Sequence, residues 1–203
     1  MAIKNIVFDF EGVFIKYVPF NIFKKYFPNK EAMEKFFLEI NKEELSYEAD
    51  MGLSSYYDLI KRRIKEFPQY AQMLSYYNDN WIDAIVEIPE TIALAKDLKR
   101  AGYKLFGLSN FAFDKTKEMF DKFNFQKLLD GFVVSSFVGV IKPDVKIYKL
   151  LCDKFNISPQ ESIFFDDRVE NVEGAKKAGL YGEVFTTAAA ARRDLLSFGI
   201  DNI

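Results

Sequence analysis

The chain has 203 residues, 49% of them apolar and 29% charged, and its 28 lysines and arginines nearly balance 30 aspartates and glutamates, for a net charge of −2. This composition is typical of a globular protein with a sizeable core, in one large domain or two small ones, and it excludes disordered and fibrous chains. The balanced charge argues against nucleic acid as a main partner, because nucleic-acid-binding proteins present basic surfaces.

Two residue counts restrict the chemistry further. There is no histidine, which excludes serine–histidine–aspartate and cysteine–histidine catalysis, phosphohistidine chemistry and histidine-ligated zinc. The single cysteine, Cys152, excludes a disulfide framework, and its apolar helical surroundings predict a small core residue. The available acids and bases are therefore Asp, Glu, Lys and Tyr, and any metal should be a hard ion with oxygen ligands.

The sequence predicts no targeting segment and no membrane partner. Lys4 and Asp9 interrupt the apolar run at the N-terminus, so this run is not the core of a signal peptide. The longest apolar stretch, residues 131–141, is far shorter than the roughly 20 residues that a membrane helix needs. We expect a cytoplasmic protein that is a monomer or a homodimer.

The first predicted element is a buried strand. Residues 3–8 form an apolar, β-rich run that ends at Asp9 and reaches a turn at Gly12. The following stretch, about residues 19–81, is crowded with Phe, Tyr, Lys and Glu, and it predicts a bundle of about four helices. Within it, Ser54 is the predicted N-cap of a helix.

From Pro89 onward, the pattern alternates between helices and strands. Pro89 in a first turn and Gly102 just past the end predict a helix between them. The strands that follow are predicted at residues 103–108, 131–135, 162–165 and 183–185. The helices that follow are predicted at residues 113–123, 144–155, 172–178 and 188–198. This alternation indicates a parallel sheet, in an α/β core of residues 1–15 and 85–203 interrupted by a helical insert of residues 16–84.

Polar residues follow the predicted strands, at the edge where parallel sheets bind their ligands. In chain order they are Asp9, Glu11, Ser109, Asn110, Lys142, Asp166 and Asp167. Carboxylates that gather at one buried point require a cation among them. Lys142 supplies one positive charge, and a divalent ion would supply the rest. With oxygen ligands only, Mg²⁺ is the natural choice, and it suits a phosphate substrate.

The order and spacing of these residues resemble the four motifs of the haloacid dehalogenase-like hydrolase superfamily, most of whose members are Mg²⁺-dependent phosphatases. The family's first motif is a strand followed by Asp-x-Asp-Gly-Thr/Val, which here reads Val7-Phe8-Asp9-Phe10-Glu11-Gly12-Val13. The second is a Ser or Thr after a strand, here Ser109. The third is a lysine, here Lys142, and the fourth is an acidic pair, here Asp166-Asp167. The resemblance covers nearly the whole chain.

This resemblance implies a doubly wound, Rossmann-like core with a helical cap inserted between the first two motifs. It implies that Asp9 is the nucleophile, which forms an aspartyl-phosphate, and that Glu11 is the general acid/base. The implied ligands of the phosphoryl oxygens are Ser109 and Lys142, with Asn110 as a further candidate. The implied metal ligands are Asp9, Glu11 through its backbone carbonyl, Asp166 and Asp167.

We therefore expect a Mg²⁺-dependent phosphatase that acts on a small phosphorylated metabolite, such as a sugar phosphate or a nucleotide. Three further functions stay open: a 2-haloacid dehalogenase, which needs no metal, a phosphomutase, and a non-catalytic binding module on the same fold. The adjacent acids Asp166 and Asp167 argue against the dehalogenase. Glu11, which stands where the family usually has Asp, favours the binding module.

Further expectations concern residues beside these motifs. Cap domains of the superfamily cover the active site and select the leaving group, so Phe14, Tyr17 and Tyr47 are candidate contacts to the substrate. Phe and Tyr residues at helical spacing are more often part of a core. Asn171 is predicted to cap the helix that follows the fourth motif.

Overall fold

The centre of the molecule is a parallel sheet, seen in a computed structural model that describes residues 2–40, 43–201 and 203. Within these residues the sheet has five strands, β1 (Asn5–Phe8), β4 (Lys104–Ser109), β5 (Gly131–Val134), β6 (Ser162–Asp166) and β7 (Tyr181–Val184). Their order is β5-β4-β1-β6-β7. The first strand is therefore central, and its Val7 lies between Phe106 and Phe164 of the neighbouring strands.

Helices cover both faces of this sheet. They are α6 (Pro89–Arg100), α7 (Phe113–Lys122), α8 (Ser135–Val138), α9 (Val145–Phe155), α10 (Val169–Lys177) and α11 (Ala188–Ser197). Side chains of β1 alternate between the faces, since Ile6 and Phe8 belong to one buried cluster and Val7 to the other. Cys152 is buried in the second cluster, as predicted. The doubly wound α/β core is confirmed.

A short antiparallel pair, β2 (Ile15–Tyr17) and β3 (Ile85–Glu87), marks where the chain leaves the core and returns. Between these strands lie α1 (Phe20–Phe23), α2 (Lys30–Ile40), α3 (Glu43–Asp50), α4 (Tyr56–Glu66) and α5 (Ala71–Asn80). We call residues 16–84 the insert. Its interior is aromatic, and the buried ring of Phe23 contacts those of Phe37 and Tyr77 at centroid distances of 5.2 and 5.6 Å. The many aromatic side chains of the insert thus largely form its own core. The limits of the insert as a separate domain stay a prediction.

Two predicted helix caps are wrong. The N-cap of α4 is Ser55, whose side chain accepts a hydrogen bond from the backbone NH of Asp58, because Ser54 bonds to Glu48 instead. Helix α10 begins at Val169, so Asn171 lies inside its first turn and does not cap it. Among the described residues, no helix combines the length and the apolar character needed to cross a bilayer.

Candidate active site

Asp9 directly follows β1 at the carboxyl edge of the sheet. Its backbone NH donates to the carbonyl of Phe165 on β6 at 2.9 Å, which extends the strand pairing by one residue. The side chain is only 6% exposed, and Oδ1 accepts a hydrogen bond from the NH of Phe10 at 2.6 Å. The carboxylate is therefore fixed where ligands of a parallel sheet bind.

A tight loop carries Glu11 from this strand to the edge of a cavity. The NH groups of Phe14 and Ile15 both donate to the carbonyl of Phe10, which folds the loop back on itself. At its turn, Gly12 has a φ of +77°, and a Cβ there would lie 2.4 Å from Oδ2 of Asp167. Only glycine combines this conformation with so close an approach.

Lys142 lies between two acidic side chains. Its Nζ is 2.9 Å from Oδ2 of Asp9 and 2.6 Å from Oδ2 of Asp166, and its side chain is almost completely buried. The backbone of Lys142 is held in turn by Asn110, whose Nδ2 donates to its carbonyl at 3.0 Å and whose Oδ1 accepts from its NH at 2.8 Å. Asn110 therefore acts as a positioning residue for Lys142, and its own contact with phosphate stays a prediction.

Ser109 ends β4, the strand next to β1, and reaches the same edge of the sheet. Its side chain is buried. The parallel topology thus brings the ends of the first, second and fourth motifs together, as the sequence predicts.

Asn171 is a site residue that the sequence prediction missed. Its Nδ2 lies 3.0 Å from each carboxylate oxygen of Asp166, which is fully buried. The NH of Arg168 also donates to Asp166, at 2.8 Å. The sequence signal for it was its place at the start of the segment Asn171-Val172-Glu173-Gly174-Ala175 that follows the acidic pair, and a polar residue there is also typical of a helix cap.

Three carboxylates form a candidate metal site. Asp9, Asp166 and Asp167 each place one oxygen so that all three lie within 4.8 Å of one another, with Asp9 and Asp166 buried and Asp167 exposed. Lys142 compensates for only part of this negative charge. The donor set is all oxygen, and Mg²⁺ usually binds through one or two carboxylates while keeping waters and phosphate oxygens as its remaining ligands. These residues therefore fit a hard divalent cation.

Burial dominates the electrostatics of the site. It raises the pKa of Asp9 well above its usual range; the charge of Lys142 opposes this effect and that of Asp166 reinforces it. Burial also raises the pKa of Glu11, as does the nearby charge of Asp167. The pKa of Asp50, on the insert, is raised to about 7 by burial and by the charge of Glu11. Acidic groups from the core and from the insert thus face one another across the site.

A cavity of about 250 Å³ opens between the core and the insert. Glu11 and Asn110 line it from the core, and aromatic side chains line it from the insert: Tyr17, Tyr56, Tyr77 and Trp81. Of the predicted aromatic contacts, Tyr17 alone belongs to the described lining. Phe14 is buried and stacks on Phe125 at 5.0 Å, and Tyr47 is 49% exposed on α3.

A family model for haloacid dehalogenase-like hydrolases matches residues 3–179, a segment that includes all four motifs. The chain belongs to this family. Its site residues therefore belong to a hydrolase fold, and the nucleophile role of Asp9 stays a prediction. The phosphate, metal and acid/base roles of individual residues stay predictions.

Similar proteins agree with this assignment. The chain is 30% identical to a sesquiterpene phosphatase from Aspergillus oryzae, over 51% of this chain and 53% of that protein. It is 25% identical to a glyceraldehyde 3-phosphate phosphatase from Methanopyrus kandleri, over 70% of this chain and 66% of that protein. The chain thus spans about half to two thirds of these relatives.

A solved structure shows the same fold. A haloacid dehalogenase-family enzyme from Bacteroides thetaiotaomicron is 21% identical and superposes with a TM-score of 0.74, over 92% of this chain and 95% of that chain. That enzyme has also been solved in complex with magnesium and inorganic phosphate. At this level of identity, the likeness concerns the fold.

Proposed function

We propose that this hydrolase is a Mg²⁺-dependent phosphatase that acts on a small phosphorylated metabolite through an aspartyl-phosphate intermediate. The observation that supports it most is the Nζ of Lys142, 2.9 Å from Asp9 and 2.6 Å from Asp166. A buried cation there can bind phosphoryl oxygens and reduce the repulsion that a carboxylate nucleophile meets. The relatives from Aspergillus oryzae and Methanopyrus kandleri are both named phosphatases, which supports the same reaction class.

Asp9 is the proposed nucleophile. One of its oxygens attacks phosphorus, the bond from phosphorus to the leaving oxygen breaks, and the phosphoryl group is held as a mixed anhydride. Water then attacks the same phosphorus, which releases inorganic phosphate and the free carboxylate. The NH of Phe10 and the Nζ of Lys142 each bond to one carboxylate oxygen, so the nucleophile is oriented before substrate arrives.

Glu11 is the proposed general acid/base. It lines the cavity in which the leaving group would lie, and burial raises its pKa, which favours the protonated form that an acid needs. In the first step it gives its proton to the departing oxygen. In the second step it takes a proton from the attacking water.

The remaining residues would bind the phosphoryl group and its counter-ion. The hydroxyl of Ser109 and the Nζ of Lys142 are the proposed ligands of the phosphoryl oxygens. Mg²⁺ would be held by the carboxylates of the candidate metal site with the backbone carbonyl of Glu11, and when bound it would neutralise the charge of the phosphoryl oxygens. The cytoplasmic location and the oligomeric state stay predictions.

The test is phosphate release from a panel of small phosphomonoesters by purified protein, in Mg²⁺ and after treatment with EDTA. We expect turnover that requires Mg²⁺ and is absent from the variant Asp9→Asn. Adding Mg²⁺ in excess of EDTA should restore it. Transfer of the phosphoryl group to a second position of the substrate, in place of release, would identify a phosphomutase.

The same preparation distinguishes a phosphatase from a dehalogenase and from a binding module. A 2-haloacid dehalogenase would release halide from 2-chloropropionate in the presence of EDTA. A binding module would bind phosphorylated ligands without turnover. Either result, together with no phosphate release from the panel, would contradict the proposed function.

A further inference from the structure

A lysine outside the four motifs lines the same cavity. Lys115, on α7, is only 4% exposed. Its side chain contributes to the lining together with Glu11 and Asn110. Its Nζ is buried and has no hydrogen-bond acceptor among the described residues. A buried ammonium group without an acceptor is costly, so an acceptor supplied by a ligand would be bound strongly.

Aromatic rings surround the Nζ of Lys115. It lies 3.7 Å from the ring centre of Tyr57, 4.6 Å from that of Trp81 and 5.3 Å from that of Tyr56. Such rings stabilise a cation through their faces but accept no strong hydrogen bond from it. Lysine has three donors on a flexible stem, so Nζ can turn from these rings to an oxygen in the cavity.

The neighbouring acids keep this lysine charged but leave its donors unused. Burial lowers the pKa of Lys115 to about 8, and the charges of Glu118, Asp114 and Asp79 oppose this effect. The oxygens of Glu118 already accept hydrogen bonds, one from Tyr57 Oη and one from Trp81 Nε1 at 2.7 Å. Glu118 therefore bonds to other donors and not to Lys115. With a pKa of about 8, the side chain of Lys115 is mostly charged at pH 7.

The volume of the cavity limits what can reach this lysine. At about 30 Å³ for each water in the liquid, the cavity of about 250 Å³ corresponds to about eight waters. That space accommodates an alcohol of three or four carbons.

We propose that Lys115 is a specificity-determining residue that binds an oxygen atom at the end of the leaving group farthest from phosphorus. The substrate is then the phosphomonoester of a short alcohol that carries a further oxygen-containing group. This inference rests on the proposed phosphatase function and adds the substrate class. The oxygen can belong to a carboxylate or to a hydroxyl group, since both accept from an ammonium group.

The test compares three phosphomonoesters that share a three-carbon chain. At the end of the chain farthest from phosphorus, glycerol 3-phosphate carries a hydroxyl group, 3-phosphoglycerate carries a carboxylate, and propyl phosphate carries only a methyl group. The variant is Lys115→Met, which keeps an unbranched apolar stem between the rings. The matched control is Lys117→Met on the exposed face of the same helix.

We expect Lys115→Met to lower kcat/KM for at least one oxygen-bearing substrate by about 10- to 100-fold, the range for a hydrogen bond to a charged group. The value for propyl phosphate should change by less than about threefold, within the scatter of such measurements. Lys115→Arg, which keeps donors and charge, should retain part of the preference, and Lys117→Met should leave all three values unchanged. Thermal unfolding of each variant would confirm that it is folded.

The pattern of losses decides the inference. A loss confined to 3-phosphoglycerate supports it with an anionic leaving group, a loss confined to glycerol 3-phosphate supports it with a neutral one, and a loss on both supports it for either. Equal losses on all three substrates, or none, overturn it while the phosphatase function stands. A wild-type protein inactive on every phosphomonoester in Mg²⁺ overturns the proposed function and this inference together.

Discussion

Asp9, Lys142 and Asp166 form a buried row of charges in which the lysine lies between the two acids. Neutral amides orient this row, since Asn110 bonds to the backbone of Lys142 and Asn171 bonds to the carboxylate of Asp166. Amides can orient charges without adding to them, so the excess negative charge at the centre is left for a cation to neutralise.

The first prediction concerns the nucleophile. Asp9→Asn should abolish turnover, because the amide is a poor nucleophile, while thermal stability should not fall. Burial raises the pKa of Asp9, so its ionised form destabilises the folded state and a neutral side chain of the same shape relieves that cost. Phosphate release and thermal unfolding measure the two effects. More than a few per cent of residual turnover would assign the nucleophile to another residue.

A second prediction concerns Asn171. Asn171→Ala removes both hydrogen bonds to the buried Asp166 and should lower the free energy of unfolding by about 1–3 kcal/mol. It should also lower kcat/KM, because Asp166 loses its orientation toward Lys142. Urea denaturation and steady-state kinetics provide the measurements. The control is Glu173→Ala, on the exposed side of the same helix; equal behaviour of the two variants would contradict a positioning role.

Glu11 allows a test based on the leaving group. If it is the general acid, Glu11→Gln should slow hydrolysis of alkyl phosphates by about 10²- to 10⁴-fold. A nitrophenyl ester needs no proton on its departing oxygen, so its hydrolysis should slow much less, provided that dephosphorylation of Asp9 is not rate-limiting. Similar losses on both substrates, or no loss, would restrict Glu11 to its backbone carbonyl.

At the scale of elements, the turn between α3 and α4 is a point at which the insert packs directly against the core. Gly52, in this turn, has a φ of +71°, and a Cβ there would lie 2.3 Å from the backbone carbonyl of Ser136 on α8. This close approach brings α3, with Asp50 at its end, against the core beside the site. The contact is between backbones, so neither partner can adjust by rotating a side chain.

Gly52→Ala should therefore separate this part of the insert from the core. We expect faster hydrogen exchange in α3 and α4, and a lower kcat/KM, because the wall of the cavity shifts. The matched control is Gly102→Ala, where φ is +92° and, within the part of the chain that the structure describes, no atom beyond the two chain neighbours lies within 4 Å of the added Cβ. Both variants have the backbone strain, so only the clash distinguishes them. Equal effects on exchange and activity would contradict a role for this contact.

The elements also show which features a sequence can predict. The strands β1, β4 and β6 are apolar and buried, and parallel strands end at one edge. The sequence alone could therefore bring together Asp9, just after β1, and Ser109 and Asp166, the last residues of β4 and β6. Asn171 could not be assigned, because a polar residue near a helix start has the same local pattern whether it caps the helix or bonds to a carboxylate at the end of the preceding strand. Lys115 gave no signal at all, since its surroundings come from Tyr56 and Tyr57 on α4 and from Trp81, just after α5.

At the scale of the whole molecule, folding brings together carboxylates that are distant in the chain. Asp9 and Asp167 converge only when β1 and β6 pair, so the unfolded chain has no equivalent metal site. A cation that binds only the folded state stabilises it in proportion to the logarithm of its concentration. Removing a ligand should weaken this effect.

We therefore expect Mg²⁺ to raise the Tm of the wild-type protein, with an increase of about 2.7 kcal/mol in the free energy of unfolding at a hundredfold excess over Kd. Asp167→Ala should shift this response, and the Mg²⁺ requirement of turnover, to higher concentration. Thermal unfolding against Mg²⁺ concentration, with Asp194→Ala on the distant α11 as a control, provides the measurement. An identical titration for Asp167→Ala would place the cation elsewhere.

The pairing of β2 with β3 has a consequence for how such a protein can diversify. Ile15 and Glu87 are paired neighbours on these strands, so the insert leaves the core and returns to it at one point. The loop-closure entropy of such an excursion grows only slowly with its length, so helices can be added or removed between the two strands at little entropic cost. The proposed hydrolytic centre and the insert beside it can therefore change separately over evolution, with this two-stranded ribbon as the fixed point between them.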